Sequence, residues 1–197
     1  MRNKFVSLQA LALLVIFCLT GSLTRAAVNP KPFVVPELKQ WTGKDGNFTP
    51  GKDARIVCTS QNPELLRIAR MFADDYQQMF GQTLSVAQGK ATSGDFVLSL
   101  SADKKLGEEG YAIKITDRVA ISAPTPTGLY WSTRTLLQLA EQNQERSLPQ
   151  GTIRDYPDYP LRGFMIDCGR KFIPMAYAGL GENHGLLQNE HPASPSE

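Results

Sequence analysis

Three charged residues bracket one apolar run near the end of the chain. Arg162 precedes "GFMIDCG", and Asp167 and Arg170 stand at its far end. Charged groups around a run this apolar suit the mouth of a parallel barrel strand, where sites are built. A rigid guanidinium fork such as that of Arg162 is well shaped to hold vicinal hydroxyls. Asp167 and Arg170 have two readings, as parts of a site or as a buried pair that holds a strand end. The other candidates are weaker. Asp74-Asp75 and Glu108-Glu109 are adjacent carboxylates, and sequence neighbours do not converge on one substrate. The first pair is expected on the outward arc of a helix and the second in a turn. The only histidines, His184 and His191, fall in a tail without pattern, so a histidine triad or a His-rich metal site is not expected. "GNFTPGKD" (46–53) approaches the phosphate-cradling loop, but Asp53 stands where a hydroxyl is needed and a strand follows instead of a helix. It reads as a turn, and the sequence calls for no cofactor and no metal.

Elements must hold those residues, and the first segment is not one of them. Arg2 and Lys4 begin a basic start, Phe5 to Leu23 is apolar, and Ala26 and Ala27 offer a cleavage site. Residues 1–27 are read as a signal peptide, so the protein is expected to be exported to the periplasm or beyond. The 197 residues carry 21 Lys and Arg against 19 Asp and Glu. Without Arg2, Lys4 and Arg25, 18 basic side chains remain against 19 acidic ones. No basic field is left to draw nucleic acid or an anionic membrane surface, and neither is an expected partner. Cys58 and Cys168 both fall in apolar runs and are expected to be unpaired.

A composition of 42% hydrophobic and 20% charged residues is that of a globular chain. Residues 32–53 read as an extended lead-in punctuated by Pro and Gly. "ARIVC" (54–58), "TLSVA" (83–87) and "DFVLSL" (95–100) read as strands. "YAIKI" and "VAISA" flank Thr116, Asp117 and Arg118 as a hairpin. Asn62 and Pro63 open a helix whose Leu65, Ile68, Ala69, Phe72, Tyr76, Met79 and Phe80 share a face, and Gly81 stops it. A second helix follows Pro126 and Thr127, with Leu129, Leu136, Leu137 and Ala140 inward. The fold class is α/β, a sheet with two helices on one face, spanning residues 28–152. "IRDYPDYPLRG" reads as a connector and "GFMIDCG" as the first strand of a barrel, together residues 153–177.

"YPLRGFMIDCGRKFIP" resembles the opening of the catalytic barrel in family 20 glycoside hydrolases, the β-N-acetylhexosaminidases. These begin their first barrel strand with R-G-x-x-x-D-x-x-R, an aromatic residue and Pro. The start "VVPELKQWTGKDGNFT" and the stretch "GYAIKI…VAISAPTPTGLYWSTRTLLQL" resemble the noncatalytic domain that precedes that barrel. The similarity covers roughly residues 33–177. It implies a glycan partner bearing N-acetylhexosamine and a retaining, substrate-assisted hydrolysis. The 2-acetamido oxygen attacks the anomeric carbon while an Asp orients the amide and the adjacent Glu acts as general acid. Arg162 matches the family arginine that binds the 3- and 4-hydroxyls of the sugar. No part of this chain aligns with the Asp-Glu pair, so it carries no catalytic residue of its own, and the chain is expected to be inactive.

A first barrel strand should be followed by a helix and a parallel strand. Residues 178–197 show the pattern of neither. Codons can be chosen for 179–197 so that the frame one base later reads DLVKIMAYYKMNTLQVHLN, an amphipathic helix and then a strand, similar to the family's continuation. The tail is therefore expected to be a frameshift product, with the frame lost near Ala178. A naturally short protein with a disordered tail is the alternative, and in it the α/β domain alone would act as a carbohydrate-binding or interaction module. An exposed aromatic patch at Tyr130 and Trp131 would favour that role.

Overall fold

The structure, a computed structural model, describes residues 28–143 and 146–163. The expected signal peptide, the expected barrel strand with Asp167, Cys168 and Arg170, and the tail with both histidines lie outside the described residues.

Seven strands form one mixed sheet: β1 (Gln40–Phe48), β2 (Arg55–Cys58), β3 (Ser85–Gln88), β4 (Phe96–Leu100), β5 (Tyr111–Ile115), β6 (Val119–Ala123) and β7 (Leu148–Asp155). Their order across the sheet is β1-β7-β5-β6-β4-β2-β3. Strands β2, β3, β4 and β6 run parallel, whereas β5, β7 and β1 pair antiparallel. Parallel neighbours need crossover connections. Helix α1 (Pro63–Phe80) supplies the one from β2 to β3, and α2 (Pro126–Glu141) carries the chain from β6 to β7.

Local chemistry sets the helix ends where the sequence indicates. The Asn62 side chain accepts from Glu64 N at 2.9 Å, Pro63 occupies the first turn, and Gly81 closes α1 at φ 69°. A residue with a Cβ would be strained there. Thr125 Oγ1 caps α2 by accepting from Gly128 N at 3.2 Å, and it donates to the Glu108 carbonyl. The expected inward faces are the observed ones. Leu65, Ile68, Ala69, Phe72 and Tyr76 of α1 and Leu129, Leu136, Leu137 and Ala140 of α2 are buried. They meet Ile56, Cys58, Phe96, Leu98, Ile113, Ile121 and Ile153 from alternate positions of the strands. Phe96 sits at the centre, with the rings of Phe72 at 5.5 Å and Phe48 at 5.7 Å edge-on to it.

Two parts of the sequence reading need correction. The lead-in holds a nine-residue edge strand, β1, paired with β7. Ile153, Arg154 and Asp155, read as connector, are sheet residues that pair with β5. Polar, Gly-rich strings of this kind become strands because a partner supplies their hydrogen bonds. Periodicity within the string does not reveal them.

Candidate functional site

Past β7 the connector is fastened back onto the sheet. Asp155 accepts from the Lys39 amide at 3.0 Å and from the Tyr111 hydroxyl at 2.8 Å. Tyr111 also shares a 2.6 Å hydrogen bond with Thr135 of α2. Three elements therefore meet on one phenol, whose pKa burial raises. Asp158 then pairs with Lys39 Nζ at 2.5 Å.

Arg162 stands at the end of this path. Its Nη1 donates to the Tyr159 carbonyl at 2.6 Å and its Nη2 to Glu109 Oε2. Its Cζ lies 5.9 Å from the Trp131 ring centroid. Arg162 is thus held by a carboxylate and an aromatic face of the α/β domain. Sequence reasoning had placed Glu109 in a solvated turn. Its ion pair with Arg162, 53 positions on, left no signal in local spacing. Asp167 and Arg170 lie outside the described residues, so the structure does not choose between their two readings.

Among the other acidic pairs, Asp74 is exposed as expected, but Asp75 is not a solvated-face residue. It forms a 2.5 Å ion pair with Arg134 of α2, and both side chains are largely covered. The pair joins the helices because α1 and α2 pack side by side. Arg134 also lies over the Tyr130 ring at 4.8 Å.

Another carboxylate, that of Asp95, is buried outright. Asp95 accepts from Arg55 Nε at 3.1 Å and Nη2 at 2.6 Å, and from Thr92 N at 2.7 Å and Oγ1 at 3.0 Å. The Arg55 hydrogen bond, helped by those from Thr92, holds its carboxyl at about 2 against the opposing effect of burial. It pins the start of β4 to β2. Cys58 is a free thiol in β2, pushed up by burial and so poorly suited to act as a nucleophile. The 46–53 stretch passes from β1 into a turn before β2. A strand, β2, follows it where phosphate binding by such a loop would need a helix N-terminus. Among the described residues, no group of three or more His, Cys, Asp or Glu side chains is placed to hold a metal ion.

This sheet with its two helices has known counterparts. Residues 31–156 match the family description "Glycosyl hydrolase family 20, domain 2". The chain belongs to glycosyl hydrolase family 20. A lacto-N-biosidase from Bifidobacterium bifidum is 32% identical over 147 residues, which is 73% of this chain and 13% of that protein. A β-hexosaminidase from Porphyromonas gingivalis is 30% identical over 150 residues, 71% of this chain and 19% of that protein. The chain therefore spans less than a fifth of the length of either relative. The family 20 fold is also seen in a Streptomyces plicatus β-hexosaminidase in complex with its product GlcNAc. That structure has a TM-score of 0.64 and 24% identity, covering 75% of this chain and 30% of that one. A β-N-acetylhexosaminidase from Streptomyces coelicolor gives a TM-score of 0.61, also at 24% identity, over 77% of this chain and 32% of that one.

Proposed function

We propose that this chain is the N-terminal part of an exported β-N-acetylhexosaminidase, whose parent removes terminal N-acetylhexosamine from glycans. The family 20 match over residues 31–156 carries this reading. In the parent, the 2-acetamido oxygen of the substrate attacks the anomeric carbon, with an Asp orienting the amide and its neighbouring Glu protonating the leaving oxygen. Arg162 binds the 3- and 4-hydroxyls, for which its fork of donors is suited. To do so its guanidinium exchanges the Glu109 carboxylate for sugar oxygens. Nowhere in the 197 residues is an Asp followed directly by a Glu, so this chain turns over no substrate. The gene reads out of frame from about Ala178.

The test is to sequence the gene from the Lys171 codon to several hundred bases past the stop. A second frame that continues with the helix, the strand and later an Asp-Glu pair supports the proposal. DNA encoding nothing similar in any frame would remove it.

One observation favours a second reading. Trp131 is 38% exposed and packs its ring 5.2 Å from that of Tyr130, the arrangement a carbohydrate-binding module would use. Binding on a glycan array by the purified chain, abolished by Trp131→Ala, would favour it.

A further inference from the structure

The loop between β4 and β5 is tied down at Asp103, Leu106, Glu108 and Gly110. Asp103 accepts from the Lys105 amide at 3.1 Å and from Arg154 Nη1 of β7 at 2.6 Å. Leu106 is buried, and the Glu108 carbonyl accepts from Thr125, the cap of α2. A Cβ on Gly110 would lie 2.2 Å from the Leu106 carbonyl oxygen and 3.0 Å from that of Asp155. One on Gly128, in the first turn of α2, would lie 2.4 Å from the Gly110 carbonyl oxygen. β7, α2 and the core each hold this loop, and a side chain on a support so braced keeps its place.

Glu109 stands between the last two ties and receives Arg162 Nη2 on its carboxylate. Its side chain is 25% exposed, against 43% for that of Arg162. The Tyr159 carbonyl that takes Nη1 belongs to the same connector as Arg162, and Tyr159 itself is exposed. Glu109 and the Trp131 ring are therefore what fastens the guanidinium to the α/β domain. A guanidinium has five N–H donors. Its contacts among the described residues use two of them, so a pair of hydroxyls can engage before Glu109 lets go.

We propose that Glu109 is a positioning residue that holds Arg162 on the α/β domain until a ligand with vicinal hydroxyls takes its place. The 103–110 loop thereby sets the apparent affinity of the sugar site. The hold on Arg162 is independent of the hydrolase reading, whereas the identity of the ligand rests on it. When only the unheld fraction of a group can bind, apparent affinity falls by that fraction. A pair as exposed as this one weights the held state by about two- to fivefold.

Arginine labelling of the purified full chain with phenylglyoxal, read by peptide mass spectrometry, tests the hold. Arg162 is expected to react about two- to fivefold faster in Glu109→Gln than in the wild type. Glu109→Asp, which keeps the charge, should fall between them. Arg67, paired with Glu64 on α1, should react alike in all three proteins. The largely covered Arg134 should stay slow throughout, as an intact fold requires. Equal rates at Arg162 would overturn the proposal. In the frame-restored protein, Glu109→Gln should lower KM for p-nitrophenyl β-N-acetylglucosaminide by about the same factor, with the change absent from kcat. An unchanged or raised KM, or a lower kcat, would mean that Glu109 does not compete with the sugar, and would also overturn it. A frame-restored protein without turnover would remove the hydrolase reading, and the labelling rates alone would then decide whether Glu109 holds Arg162.

Discussion

At the scale of single residues, two carboxylates show how far type alone can mislead. Asp95 and Asp75 both sit in polar stretches, yet each owes its role to an arginine distant in sequence. Asp95 is held at about 2 against an ordinary 3.8. A depressed folded pKa gives stability that is present above the unfolded value and lost as pH falls through the folded one. The Asp95 contribution should therefore be complete above about pH 4 and decline towards pH 2. Asp95→Asn leaves the Arg55 fork and the Thr92 donors short of an ionised acceptor, a loss of about 1–3 kcal/mol at neutral pH. Urea denaturation of both proteins across this range should show the gap closing as acid is added. A gap that is constant with pH would mean that the pair contributes nothing through its charge. Asp75 and Arg134 make the matching case between helices. A double-mutant cycle with Asp75→Asn and Arg134→Gln should return a coupling energy of about 1–2 kcal/mol in equilibrium unfolding. Simple additivity would contradict the bridge drawn here.

At the scale of elements, what was legible in the sequence was what is stated locally. Asn62-Pro63 and Gly81 mark the ends of α1, and the spacing from Leu65 to Tyr76 gives its buried face. "YAIKI" and "VAISA" alternate as the β5–β6 hairpin does. Strands β1 and β7 were not legible for a physical reason. β1 is an edge strand and mostly exposed, so no apolar alternation is imposed on it. β7 carries Pro149 and Gly151, which argue against a central strand. The residues up to Gln150 are flanked by β1 alone, so the missing Pro149 amide costs no bond to β5, whose pairing begins at Gly151. Gly151 is required because a Cβ there would come within 2.4 Å of the Trp41 ring. Gly151→Ala should cost about 1–3 kcal/mol by overpacking this junction, seen as a lowered thermal midpoint. A midpoint equal to that of the wild type would show that the β1–β7 edge can shift to admit a methyl group. Around the candidate site, position and contacts were unequally legible. Arg162 stood out by its place before an apolar run, whereas its partners Glu109 and Trp131 emerge only when the connector folds back.

At the scale of the whole molecule, the described residues form an α/β layer around one core, followed by a short connector that carries Arg162. Its residues 31–156 are the part matched to family 20. The two relatives compared are each more than five times the length of chain matched here, and the proposed chemistry belongs to the parent. The most direct measurement is release of p-nitrophenol from its β-N-acetylglucosaminide, by the purified 197-residue chain and by the protein expressed after the frame is restored near Ala178. The account predicts no release above the blank by the first and steady turnover by the second. Turnover by the 197-residue chain, or none by the frame-restored protein, would contradict it.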